Sequence, residues 1–153
     1  MVERFNITAK KEYLFLLDFL INNKDLDFYY TKDNQRIYIS NTYELKQLLR
    51  QATIVYSLKE KGDYVGLILI WKSKGGNVTR RYIKIIAKDE NIADKLLTVL
   101  LWNNFFEFFV KINKHSRFLK AFSNKGFKFF GGRGSQLLLK RELKVGENKN
   151  VFE

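Results

Sequence analysis

Along this chain the apolar positions switch between helical and alternating spacing, and each switch marks an element boundary. Tyr13, Leu14, Leu17, Phe19, Leu20 and Ile21 recur at helical spacing between Thr8 and Asn22. That pattern predicts a helix with Thr8 as N-cap and Asn22-Asn23 as its stop. The short stretch Glu3–Ile7 before it reads as an opening strand. Asp27–Tyr30 and Arg36–Ser40 are aromatic and β-branched runs flanking Lys32-Asp33-Asn34-Gln35, which predicts a hairpin. Asn41 or Thr42 then caps a short helix through Leu45, Leu48 and Leu49.

The strongest β pattern follows. Ala52–Leu58, Tyr64–Lys72 and Val78–Ala87 are strands joined by turns at Lys61-Gly62-Asp63 and Ser73–Asn77, an antiparallel meander. The run Val65–Trp71 is apolar without alternation, so both faces of the sheet are expected to be covered. Helical spacing returns over Asp89–Asn104, with Ile92, Leu96, Val99 and Leu100 on one stripe. Phe105–Ile112 reads as strand and Lys114–Lys125 as helix, ending at Gly126, the residue a left-handed C-cap prefers. Phe127–Phe130 and Gln136–Leu143 form a closing hairpin about Gly131-Gly132-Arg133-Gly134. The order predicts one α/β (α+β) domain over residues 1–153, its mixed, mostly antiparallel central sheet sandwiched by helices. Residues 1–51 form a variable N-terminal part, 52–143 the core, and 144–153 a frayed, flexible tail.

Composition narrows the chemistry. The chain has 153 residues, 46% of them hydrophobic, no cysteine and one histidine, His115. Thiolate metal sites, disulfides and cysteine nucleophiles are excluded, and no metal site is expected. Lys and Arg exceed Asp and Glu to give a formal net charge of +12, which favours polyanionic company such as nucleic acid, phosphate-rich cofactors or acidic proteins. The apolar runs are far shorter than the roughly 20 residues of a spanning helix, and no leader pattern opens the chain, so a soluble, cytoplasmic protein without membrane contact is expected.

Phe109-Val110-Lys111-Ile112-Asn113, the following Lys114–Phe122 helix and Asn124-Lys125-Gly126-Phe127 resemble the GNAT superfamily of N-acetyltransferases. The likeness covers about Ala52 to Leu143. It implies a helix N-terminus that receives the pyrophosphate of acetyl-CoA, and a strand splayed from its neighbour. The family pattern Arg/Gln-x-x-Gly-x-Gly/Ala is matched by Lys88-Asp89-Glu90-Asn91-Ile92-Ala93, with Lys88 for the Arg/Gln, Asn91 for the first Gly and Ala93 permitted. The resemblance thus implies that Lys88, Asn91, Ile92 and Ala93 hold the pyrophosphate. It implies too that Ile85, Ile86 and Ala87 pair with the pantetheine arm. Asn tolerates left-handed geometry, so the turn can survive at Asn91, while Asp89 and Glu90 repel a phosphate there. Asn113 is implied as a ligand hydrogen-bonding group; it can equally be the N-cap of the next helix.

Acyl transfer to an amine needs a base for the ammonium and often an acid for the departing thiolate. The tyrosine common in the family before Gly-Phe is replaced by Phe122. Tyr56, Tyr64 and Tyr82 are substitutes, with Tyr82 preferred, and Glu107 is the candidate base. Either could instead be structural, and His115 reads as a solvated side chain. The expected function is acyl-CoA-dependent N-acyl transfer to an amine acceptor. The alternative is a catalytically inactive protein of that fold, binding nucleic acid or a protein partner through Lys114, Arg117, Lys120 and Arg133. In that basic C-terminal third, Phe118, Phe122, Phe127, Phe129 and Phe130 have the spacing of core positions.

Overall fold

The structure, a computed structural model, describes residues 2–5, 10–25 and 27–143. Nine strands and four helices follow one another in it: β1 (Val2–Arg4), α1 (Lys10–Asn22), β2 (Tyr29–Lys32), β3 (Gln35–Tyr38), α2 (Thr42–Gln51), β4 (Ile54–Glu60), β5 (Asp63–Gly75), β6 (Val78–Ala87), α3 (Glu90–Asn103), β7 (Phe108–Asn113), α4 (Leu119–Asn124), β8 (Lys128–Arg133) and β9 (Gln136–Arg141). Seven strands form one sheet in the order β1-β4-β5-β6-β7-β9-β8, and β2 and β3 form a separate hairpin. The sheet is antiparallel except at β6 and β7, whose parallel contact is made by crossing over through α3. The α+β class, the mixed sheet and the closing hairpin expected from the sequence are all present.

Two buried layers flank the sheet. On one face α3 and α4 pack against Ile68, Ile83, Phe108, Val110 and Leu139, with Phe118 and Phe122 filling the gap between them. On the other, α1 and α2 cover Val55, Leu67, Leu69 and Ile86. This explains the unbroken apolar run in β5: Leu67 and Leu69 face one layer, Ile68 and Ile70 the other. Full burial of each such side chain contributes about 1.5–3 kcal/mol. Gly66 sets how close α3 can lie, because a Cβ there would meet Leu96 Cδ1 at 2.6 Å and Ile92 Cγ2 at 2.7 Å.

The boundaries correct several expectations. The opening strand is Val2–Arg4, paired to Tyr56–Leu58 of β4, one residue earlier than the expected start at Glu3; Asn6 and Ile7 of the expected strand lie outside the described residues. Thr8 and the tail from Lys144 lie outside the described residues. The strand expected from Phe105 starts at Phe108. The helix expected over Lys114–Lys125 is only Leu119–Asn124. Local side-chain bonds hold the intervening chain in turns: Asn113 Oδ1 accepts from His115 N–H (2.9 Å) and Ser116 Oγ from Phe118 N–H (3.1 Å). Asn113 therefore makes a tight turn instead of capping a helix. Of the five aromatics assigned to the core, Phe118, Phe122 and Phe127 are buried, but Phe129 and Phe130 are 69% and 49% exposed. They sit on β8, which among the described residues is the edge strand, with neighbours on one side only.

Candidate cofactor cleft and acceptor face

β6 and β7 touch as strands at only two positions, Arg81↔Phe108 and Tyr82↔Phe109. Beyond that point each follows its other neighbour: β6 stays with β5 as far as Ala87↔Gly66, and β7 stays with β9 as far as Asn113↔Gln136. Ile83–Ala87 and Val110–Asn113 thus diverge, and among the described residues no strand lies between them. The V-shaped gap has its apex at Tyr82 and Phe109 and opens toward the N-terminus of α3.

Three polar side chains shape the open end. Arg117, from the turn before α4, donates to the backbone oxygens of Ala87 (2.6 Å) and Lys88 (3.2 Å). Asp27, from the segment between α1 and β2, accepts the Asn113 N–H on both carboxylate oxygens at 3.0 Å. Burial pushes the Asp27 carboxyl up, against the opposing pull of the Asn113 amide. Asp89 is the N-cap of α3, its Oδ1 accepting from Ile92 N–H at 2.9 Å. Asn91 lies inside the first helical turn and not in a left-handed loop; among the described residues the non-glycine positions with positive φ are Asp33, Asn34 and Lys61. The left-handed turn expected at Asn91 is therefore replaced by a capped helix start, because Asp89 satisfies the amide a loop would have left open.

The face of the sheet on the α1–α2 side is aromatic and cationic around the apex. Tyr82 is buried, stacked on Trp71 (ring centroids 5.5 Å apart, 21° between planes) and tilted against Phe109 at 5.7 Å. The Lys111 ammonium lies 5.1 Å from the Tyr82 ring centre. Two residues beyond Tyr82, Lys84 Nζ donates to the Tyr29 carbonyl oxygen and lies 3.7 Å from the Tyr29 ring and 5.2 Å from that of Trp71. Burial pulls its amine down to about 7, with Lys111 and Arg36 adding to the effect and Asp27 opposing it. Beside Ile86, between the end of α1 and β3, lies a mostly apolar cavity of about 610 Å³ lined by Leu20, Ile21, Phe28, Tyr38 and Ile39.

The sequence-selected residues fall into separate groups. Ile85, Ile86 and Ala87 form the diverging edge of β6, with Lys88, Asn91, Ile92 and Ala93 directly after it; Ile92 and Ala93 belong to α3 and are buried on its sheet-facing side. Asn113 ends the opposite edge. Glu107 lies just before β7, on the apex side away from the opening, and its carboxylate is 3.6 Å from Lys140 Nζ. Tyr64 is remote: its hydroxyl donates to Glu12, and burial raises it further from ionisation. Tyr56 is engaged by Asn104. Lys114, Arg117 and Lys120 do not form the continuous helical stripe expected of them, because Lys114 and Arg117 precede the helix and Arg117 turns in toward β6. Sequence reasoning missed Lys84 and Asp27. A lysine in an alternating strand looks like any exposed cation until the β2–β3 hairpin is seen to fold over it.

No protein-family model matches the chain, and no curated protein matches it in sequence. Solved structures do. A GNAT-family acetyltransferase from Streptococcus pneumoniae superimposes with a TM-score of 0.69 at 14% identity, covering 94% of this chain and 99% of that one. The fold is the GNAT acetyltransferase fold. Aminoglycoside 6'-acetyltransferase type Ii gives a TM-score of 0.71 at 10% identity over 94% of this chain and 97% of its own. A PaiA N-acetyltransferase from Thermoplasma acidophilum, solved in complex with coenzyme A, gives 0.62 at 12% over 93% and 98%. The likeness thus spans more than nine-tenths of the chain. Among the described residues no helix is long and apolar enough to cross a membrane, and no group of three or more His, Asp or Glu could hold a metal ion.

Proposed function

We propose that this protein is an acyl-CoA-dependent N-acyltransferase whose thioester carrier enters the gap between β6 and β7. The observation that carries the reading is the parting of those strands after Tyr82 and Phe109, which leaves backbone groups of Ile83–Ala87 facing a cleft. A pantetheine arm with its own amides is a fitting partner for such an edge. A bound acyl-CoA supplies an activated thioester carbonyl to be attacked by an amine. The N-acetyltransferase of this fold solved with coenzyme A supports the same choice of carrier.

The residues at the opening fit a pyrophosphate through charge more than through amides. Lys88 and Arg117 bring two cations to the end of β6, and the α3 N-terminus adds its partial positive charge. Asn91, Ile92 and Ala93 would border the phosphates, with Asn113 on the far edge. At the apex, Tyr82 would hold its hydroxyl proton for the departing thiolate, next to the Lys111 ammonium. Lys84 is the best-placed base on the acceptor side. An amine brought to about 7 by burial has an unprotonated fraction at neutral pH, as a general base needs. Glu107, tied to Lys140, would act only through water.

One observation favours a second reading, a catalytically silent protein of this fold. Asp89 already occupies the Ile92 amide and adds negative charge where phosphates would sit. Thermal melting with acetyl-CoA separates the two. A working cleft stabilises the fold by about 2.7 kcal/mol at a ligand concentration 100 times Kd, and labelled acetyl-CoA then yields acylated amine from a panel of acceptors. An unchanged melt at millimolar acetyl-CoA rejects the enzyme.

A further inference from the structure

The two sheet faces are not covered to the same width. The α3–α4 layer extends from Leu58 of β4 to Leu139 of β9. The buried residues of the α1–α2 layer come from β4, β5 and β6 and, among the described residues, from no strand beyond. The register places Phe109, Lys140 and Lys128 side by side on this second face, with Lys111 and Leu138 paired next to them. Three strand spacings, about 14 Å, separate β6 from β8 across it.

Its composition is one-sided. The register puts Arg80, Lys84, Lys111, Lys128, Arg133 and Lys140 on this face, and the strands β6 to β9 carry no carboxylate. The carboxylates at its border, Glu107 and Glu142, both turn to Lys140, at 3.6 and 3.4 Å. Rings alternate with the cations. Arg80 lies 4.8 Å from the Phe109 ring centre, Lys140 lies 4.8 Å from that of Phe130, and Phe130 packs edge-on against Phe109 at 5.7 Å. Phe130 falls where the register of β8 slips, which pushes it out of the ladder and leaves it half exposed. An exposed ring on a bare edge strand is a hazard for a protein that only has to fold.

The geometry points to this face, Arg80, Lys111, Lys128 and Lys140 with Phe130, as a docking surface for single-stranded nucleic acid. The cations track phosphates and the exposed ring stacks a base, the combination that holds unpaired strands without reading sequence. Bases inside a duplex are out of reach of a flat sheet face. An acidic peptide would satisfy the cations but leave Phe130 without a planar partner. The surface differs from the Lys114–Lys120 segment proposed from sequence, and it binds with or without a carrier in the cleft.

Fluorescence anisotropy of a labelled oligouridylate of about 12 nucleotides, within the range of single-strand sites, tests this without acyl-CoA. The wild type binds, and log Kd rises by about 2 per decade of salt, as expected for about three neutralised phosphates, Lys140 being already paired with Glu107 and Glu142. Phe130→Ala and Lys128→Ala each weaken binding about tenfold, in line with a lost stack or phosphate contact. Both side chains are exposed, so circular dichroism and melting stay as in the wild type. Lys120→Ala, on α4, leaves binding unchanged. Absence of binding at low salt, a silent Phe130→Ala, equal loss with Lys120→Ala, or displacement of the strand by polyglutamate at matching charge would each overturn the proposal.

Discussion

Lys84 concentrates much of the electrostatics of the sheet face beside Tyr82 in one amine. In the folded chain its proton is disfavoured by burial, so the unfolded chain binds that proton more strongly between about pH 7 and the ordinary lysine value of 10.5. Stability contributed by this group is therefore lowest below pH 7 and recovers as pH climbs through that window. Lys84→Met removes the titration and keeps the stem in place between Tyr29 and Trp71. The difference in melting temperature, variant minus wild type, should be largest near pH 6 and shrink toward pH 10; a difference independent of pH would contradict the assignment. Asp89 offers a second residue-scale test, because one side chain serves folding and opposes phosphate. Asp89→Ala should lower stability by about 1 kcal/mol through loss of the cap, yet increase the melting shift produced by acetyl-CoA. An equal or smaller shift would remove Asp89 from the opening. Neither role could be read from residue type alone. Asp89 was recognisable as a helix-start residue beside a phosphate pattern, but whether its carboxylate or a ligand takes the Ile92 amide is decided by the backbone.

Elements were legible where periodicity was long and uninterrupted. The meander and α3 follow directly from apolar spacing over 7 to 14 residues. The segment after β7 was misread because Asn113, Lys114 and Ser116 suit a helix start by composition, while their side chains close turns instead. Packing between elements was less visible still. Gly66 looks like one more residue in an apolar strand, yet it is the point where α3 rests on β5. Gly66→Ala should destabilise the fold by about 1–3 kcal/mol through overpacking, measured by denaturant unfolding, since both atoms in its way belong to buried side chains. A neutral outcome would mean that α3 can slide over β5 without loss, and the close approach would then have no structural weight.

At the scale of the molecule, the sheet order decides what the charge does. A net charge of +12 favours anionic company without saying where on the surface it would sit. Once β9 inserts between β7 and β8, cations distant in sequence share one face, and Phe130, a ring assigned to the core, emerges at its edge. The splayed cleft was legible only through likeness to a known fold, because strand divergence leaves no periodic mark. The charge at its opening should be felt as salt sensitivity: acetyl-CoA affinity should fall as ionic strength rises, and Arg117→Ala should reduce both the affinity and that dependence. A salt-independent affinity would separate Arg117 from the cofactor.

The hydrogen bonds from the Asn113 amide to Asp27 join residues 86 positions apart. A loop of that length closes only after the strands at its two ends are in place. This clasp on the cleft therefore depends on a contact far apart along the chain, outside the local ladders of β6 and β7. Acid that neutralises Asp27 weakens the clasp, so Asn113 should trade its hydrogen for deuterium earlier than the amides of neighbouring Val110 and Ile112. Whatever enters between the two strands meets a gate fastened by the amino-terminal segment.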